Sequence, residues 1–99
     1  MPNFTLTEMA KSDLKEIARY TKDHWGMEQR NMYLALLDSC FHQLGATALK
    51  GANCDYIKPG YRKFHVGSHI VYYRLKEPDS IQIIRILHSR MDTAIRLLD

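Results

Sequence analysis

Cysteine, proline and glycine are all sparse in this 99-residue chain, at two, three and five. Cys40 and Cys54 are too few and too irregularly placed for a disulfide framework or a four-ligand zinc site, which fits a reducing compartment. There is no stretch rich in Pro, Gly or Ser to act as a linker, and no internal repeat. No apolar run approaches the roughly 20 residues of a membrane span. The opening MPNFTLTEMAKSDL has no basic segment followed by an apolar one, so no secretory leader is expected. Disulfide-stapled, membrane-spanning and fibrous classes are thereby set aside.

What remains is an ordinary globular composition, 45% apolar and 25% charged, enough for one core and one domain over residues 1–99. Charge is unevenly divided. Residues 1–57 carry 6 Lys/Arg against 7 Asp/Glu, whereas residues 58–99 carry 8 against 4 and also hold His65, His69 and His88. A basic second half suits an acidic partner, either nucleic acid or an acidic protein segment, although a solvated basic face would look the same.

Periodicity divides the chain into two halves. NFTL (3–6) reads as a short strand. From Thr7, a suitable N-cap, the residues Ala10, Leu14, Ile17, Ala18, Thr21 and Trp25 fall on one helical face. Gly26 stops that helix. A second helix carries Tyr33, Leu34, Leu37, Cys40, Phe41, Leu44 and Ala48, and the short connection makes the pair an antiparallel hairpin. After Pro59-Gly60 the period changes to two. YRKFHV, HIVYYRL and IQIIRILH read as three strands joined by Gly67-Ser68 and KEPDS. The tail SRMDTAIRLLD is a short helix or an irregular arm. The order β-α-α-β-β-β predicts a two-layer α+β domain, an antiparallel sheet with an αα-hairpin on one face. The other face is left partly open, with Tyr61, Lys63 and His65 on one side of their strand and Arg62, Phe64 and Val66 on the other.

The stretch GYRKFHVGSHIVYYRL (60–75) concentrates the reactive side chains. Cutting RNA through a ribose 2′-hydroxyl needs a base, an acid and cations on the phosphate. His69 and His88 titrate in a useful range, and Arg62, Lys63, Arg74 or Arg85 could supply charge. Arg74 lies an odd number of residues from His69, however, and Lys63 and His65 share its face only if the hairpin register permits. A simpler reading gives both histidines structural hydrogen bonds and has Arg62 stack its guanidinium on a neighbouring ring. A metal site from His65, His69 and Cys54 lacks local ligand spacing, so neither metal nor cofactor is expected.

The combination LT..AKSDL.EIA.YT...WG, HWG…QRN.Y, GYRKF.VGSHIVYYR and IRILHSRMD resembles the ParE branch of the RelE/ParE toxin superfamily over nearly the whole chain. The resemblance implies the toxin of a bacterial type II toxin–antitoxin pair, cytoplasmic, serving plasmid or chromosome maintenance. It would inhibit DNA gyrase without being an enzyme, and a ParD-like antitoxin with an acidic disordered tail would neutralise it. The superfamily's ribosome-dependent mRNA endonucleases, of the RelE and YoeB type, are the alternative, with His69, His88, Arg62 and Lys63 as candidate catalytic groups. The corresponding nucleases place an arginine where this chain has His69. They also carry a C-terminal tyrosine, whereas no tyrosine follows Tyr73 here. A member that has lost toxicity and serves as antitoxin corepressor is a third possibility. For a binding toxin the expected target contacts are His88, Arg90 and Met91, with Arg62 and Lys63. Arg19, Tyr20 and Trp25 are the expected antitoxin anchors, although Trp25 reads first as a packing residue at the helix hinge. No membrane partner and no sequence-specific nucleic-acid binding are expected.

Overall fold

The computed structural model describes residues 3–76 and 79–90. The elements run β1 (Phe4–Leu6), α1 (Glu8–Trp25), α2 (Met27–Ala46), a 3-10 turn (Ala48–Lys50), β2 (Ala52–Asn53), β3 (Tyr61–Val66), β4 (His69–Lys76) and β5 (Ser80–His88). Thr7 caps α1 by accepting a hydrogen bond from the Ala10 amide at 3.0 Å. Its hydroxyl donates to the Ile84 carbonyl at 2.8 Å, so one side chain both starts the helix and ties it to the sheet. Gly26 is the whole connection between the helices, with φ 94° and ψ 172°, a conformation that a side chain would strain.

The sheet order is β1-β5-β4-β3-β2. β3, β4 and β5 form the expected antiparallel meander, but β1 pairs parallel with β5, Phe4 opposite Ile81 and Leu6 opposite Ile83. The sheet is therefore mixed and five-stranded. The sequence reading of an antiparallel sheet is corrected at β1, and β2 is an additional two-residue strand on the β3 edge. A register shift between Tyr72 and Tyr73 leaves Ile84 as the extra residue on β5.

The main core lies between helices and sheet, where Ala10, Ile17, Leu37, Phe41 and Leu44 meet Val66, Val71, Tyr73, Ile81, Ile83 and Ile86. A second cluster of Cys54, Tyr61, Ile70, Tyr72 and Leu87 fills the opposite face, with Ile57 packed against it. Tyr72 and Tyr73 thus point to opposite faces and both are buried. The face left open by the helices is partly roofed by the loop that brings Cys54 and Ile57 onto it. The apolar face of α1 stays packed through Thr21, but Lys22 to Trp25 are all exposed. Trp25 is 71% exposed, which corrects its reading as a hinge-packing residue.

Candidate functional site

The β3–β4 turn gathers an interconnected polar group. Val66 faces His69 across the two-residue reversal, and His69 faces His88 on β5. The two imidazoles meet edge-on with centroids 5.5 Å apart. From α2, the Tyr33 hydroxyl reaches the Val66 carbonyl at 3.1 Å, His69 Nδ1 at 2.7 Å and the Ser68 amide at 3.2 Å. A phenol has one proton and two lone pairs. All three contacts are satisfied together when His69 carries its proton on Nδ1, with Tyr33 accepting from His69 and Ser68 and donating to Val66. Gly67, φ 56°, lies so close to the Tyr33 ring that a Cβ there would collide with it. Burial pushes the His69 pKa below the ordinary imidazole value, assisted by His88 and opposed by Asp13. Burial also raises the Tyr33 pKa, with the Ser68 hydrogen bond acting the other way.

His69 and His88 therefore share a face, but the candidate nuclease set does not assemble. Because His69 pairs with Val66, it faces the helices; Lys63, opposite Tyr72, lies on the other side of the sheet. Arg62 shares His69's face but belongs to the far end of β3. There it donates to the carbonyls of Gly51, at 2.7 and 3.1 Å, and Leu49, at 3.3 Å. It fastens the 3-10 turn to the sheet and is not stacked on a ring, so its expected role is corrected. His65, opposite Ile70, faces away from His69, and Cys54 is buried under the loop. Among the described residues no three His, Cys, Asp or Glu side chains are grouped to hold a metal.

Of the expected target contacts, His88 is half-buried and its Nδ1 accepts from the Arg90 amide at 3.1 Å. Arg90 is exposed just beyond it, while Met91 lies outside the described residues. Arg62 and Lys63 are remote from this pair and from each other's face. The expected antitoxin anchors are all exposed on α1, but Arg19, Tyr20 and Trp25 point to different sides of the helix. Arg19 pairs with Glu16 at 2.6 Å, Tyr20 is stacked on His24 with centroids 3.9 Å apart, and Trp25 follows at the elbow.

Two features escaped sequence reasoning. Asp13 on α1 takes Arg85 Nε at 2.8 Å and Nη2 at 3.0 Å, and the same carboxylate accepts the Ile86 amide at 3.0 Å. The second is a cleft of about 260 Å³ between α2 and β3, lined by Leu36, Cys40 and Gln43 on one side and Phe64 to Gly67 on the other. The Cys54 amide donates to the Tyr61 carbonyl, so Tyr61, Lys63 and His65 turn their peptide groups toward the β2 side. β2 covers only Arg62 and Lys63, leaving the His65 peptide at a bare strand edge beside the cleft. The signal for this was the alternation of β3 combined with a helix face that keeps Leu36 half exposed.

What the described residues define is a class of fold, a small α+β domain with a bare strand edge. Comparison with known proteins makes it specific. The profile of the family described as "ParE toxin of type II toxin-antitoxin system, parDE" matches residues 4–93. The chain is 39% identical over 89 residues to Toxin ParE1 of Mycobacterium tuberculosis, covering 90% of this chain and 91% of that one. It is 32% identical over 97 residues to Toxin ParE1 of Caulobacter vibrioides, covering 98% and 99%. It is also 31% identical over 99 residues to Toxin ParE of Escherichia coli, covering 100% and 96%. Among solved structures, a chain of the chromosomal ParDE TA system from P. aeruginosa shares the fold, with TM-score 0.73 and 24% identity over 89% of this chain and 96% of its own. The chain belongs to the ParE toxin family of type II toxin–antitoxin systems.

Proposed function

We propose that residues 1–99 act as a single toxin domain in the bacterial cytoplasm, inhibiting DNA gyrase by binding it and favouring the state in which cleaved DNA is held open. A ParD-like antitoxin neutralises it. The observation that carries the binding mechanism is the separation of the reactive groups: His69 is locked between Tyr33 and His88 on the helix side, Arg62 is spent on backbone carbonyls, and Lys63 lies on the opposite face. Poisoning by differential affinity for one conformational state asks for no reactive side chain. His88, Arg90 and Met91 are the proposed gyrase contacts.

Antitoxin capture uses the other surfaces. An acidic, disordered tail would lay a helix against Arg19, Tyr20 and Trp25 and extend as a strand along the bare β3 edge. The test is induction of the chain without its antitoxin. Filamentation, chromosomal breaks and intact mRNA are expected; prompt cleavage of mRNA within translated codons, with intact chromosomes, would establish the endonuclease reading in its place. Normal growth with a folded product would leave a non-toxic corepressor.

A further inference from the structure

The sheet face opposite the helices carries a second surface, apart from the α1 residues and the β3 edge proposed for the antitoxin. Among the described residues, six of the acidic side chains lie on the helices: Glu8, Asp13, Glu16 and Asp23 on α1, and Glu28 and Asp38 on α2. The open face is cationic instead. Tyr61, buried at the start of β3, has the Lys58 Nζ 5.5 Å from its ring, Lys63 two residues along the same strand, and Arg74 directly across on β4, where its Nε donates to Gln82 at 2.8 Å. Asp55 is the acid of the covering loop, and its carboxylate is occupied by the Gly60 amide at 2.7 Å and the Asn53 side-chain amide at 3.0 Å.

Beside these cations stands Tyr56, 72% exposed. Lys63 Nζ is 2.7 Å from its hydroxyl and 5.4 Å from its ring centroid. That combination puts the ammonium off the hydroxyl end of the ring, leaving the ring's faces clear. The result is a flat aromatic platform with a lysine held at its edge.

We infer that Tyr56, Lys58, Lys63 and Arg74 form a binding surface for a single-stranded nucleic-acid segment, with a base stacked on Tyr56 and phosphates on the three cations. An acidic peptide would meet the same charge, but peptides bind through apolar slots, free strand edges or clusters of arginines, and Arg74 is the one arginine of this surface. The cleft between α2 and β3, and the bare edge of β3 beside it, do not involve Tyr56. Stacking plus phosphate contact needs neither, and it reads no base sequence. The inference goes beyond the gyrase reading and does not depend on it, since the surface is separate from His88 and Arg90.

The test is fluorescence anisotropy of the full chain with a labelled oligodeoxythymidine of roughly twenty nucleotides at about 50 mM salt. Binding should weaken with salt at a log–log slope of roughly −2, as expected for three phosphate contacts on a single strand. Tyr56→Ala should weaken binding about five-fold or more while leaving the slope unchanged. Tyr56→Phe should bind as the parent does, and K58A should make the slope shallower by about 0.7. Thermal melts of each variant distinguish misfolding from lost contact. Absence of binding at low salt, or a Tyr56→Ala protein that melts and binds as the parent does, would overturn the inference. So would equal displacement by oligoglutamate of the same charge, which would assign the surface to an acidic protein segment.

Discussion

Asp13 and Arg85 form a two-point ion pair that joins the first helix to the last strand, both side chains 14% exposed or less. The Asp13 carboxylate also takes the Ile86 amide where β1 has ended and can no longer pair with β5. One aspartate thus continues the work of a strand edge. Asp13→Ala removes the carboxylate shared by a largely buried guanidinium and a backbone amide, and should cost about 3 kcal/mol of unfolding free energy. Chemical denaturation of variant and parent measures it; a loss under about 0.5 kcal/mol would show that the pair is dispensable.

Tyr33→Phe removes the acceptor of Ser68 and His69 and the donor to Val66 in a single step. The expected loss is about 1–3 kcal/mol, with the turn at Gly67 loosened. Faster amide exchange at Ser68, at constant pH, would report the turn directly.

The depressed His69 pKa sets a pH dependence whose sign can be worked out. In the unfolded chain the imidazole takes its proton near the ordinary 6.5, before the folded protein does. The unfolded state then binds more protons, so stability contributed by this group is present above that pH and declines as pH falls through it toward the lower folded value. Melting temperatures of the parent and His69→Ala should differ most near neutral pH and converge in mild acid. A gap that widens on acidification would mean His69 is charged in the fold.

His69→Ala also separates binding from chemistry. Growth inhibition should persist if the variant stays folded by circular dichroism. A catalytic base would lose roughly two orders of magnitude in rate or more, so a folded but harmless variant would count against the binding mechanism.

Replacing Arg90 and Met91 together by alanine should abolish gyrase inhibition and leave both antitoxin affinity and melting temperature unchanged. Conversely, Trp25→Ala should weaken antitoxin binding by about 2 kcal/mol, as truncation of an aromatic anchor does. Because Trp25 is largely exposed, stability should change by less than about 0.5 kcal/mol. Supercoiling assays and titration calorimetry on the two variants give opposite patterns if the surfaces are distinct.

Much of the fold was legible because each element carries its own period. The spacing from Ala10 to Thr21 and the alternation through YRKFHV and HIVYYRL fix helix and strands locally. β1 kept its strand character in the sequence, but three residues cannot announce a parallel partner beginning at Ile81. Trp25 continued the apolar stripe on paper, yet the last turn of α1 extends past the packed core. Arg62 was misread because its acceptors, the Leu49 and Gly51 carbonyls, are backbone atoms with no sequence signature. The site residues suffered most, since only the register of β3 against β4 decides which histidines and lysines share a face.

The parallel pairing of β1 with β5 also orders the birth of the molecule. Synthesis delivers Phe4–Leu6 long before their partners at Ile81–Ile83. Loop closure over that separation is slow and brings no reward until both ends are present. The residues of both helices are therefore made before the sheet can be completed. β1 must wait for its neighbour, so a message cut short before Ile81 leaves Phe4–Leu6 without a strand to pair with.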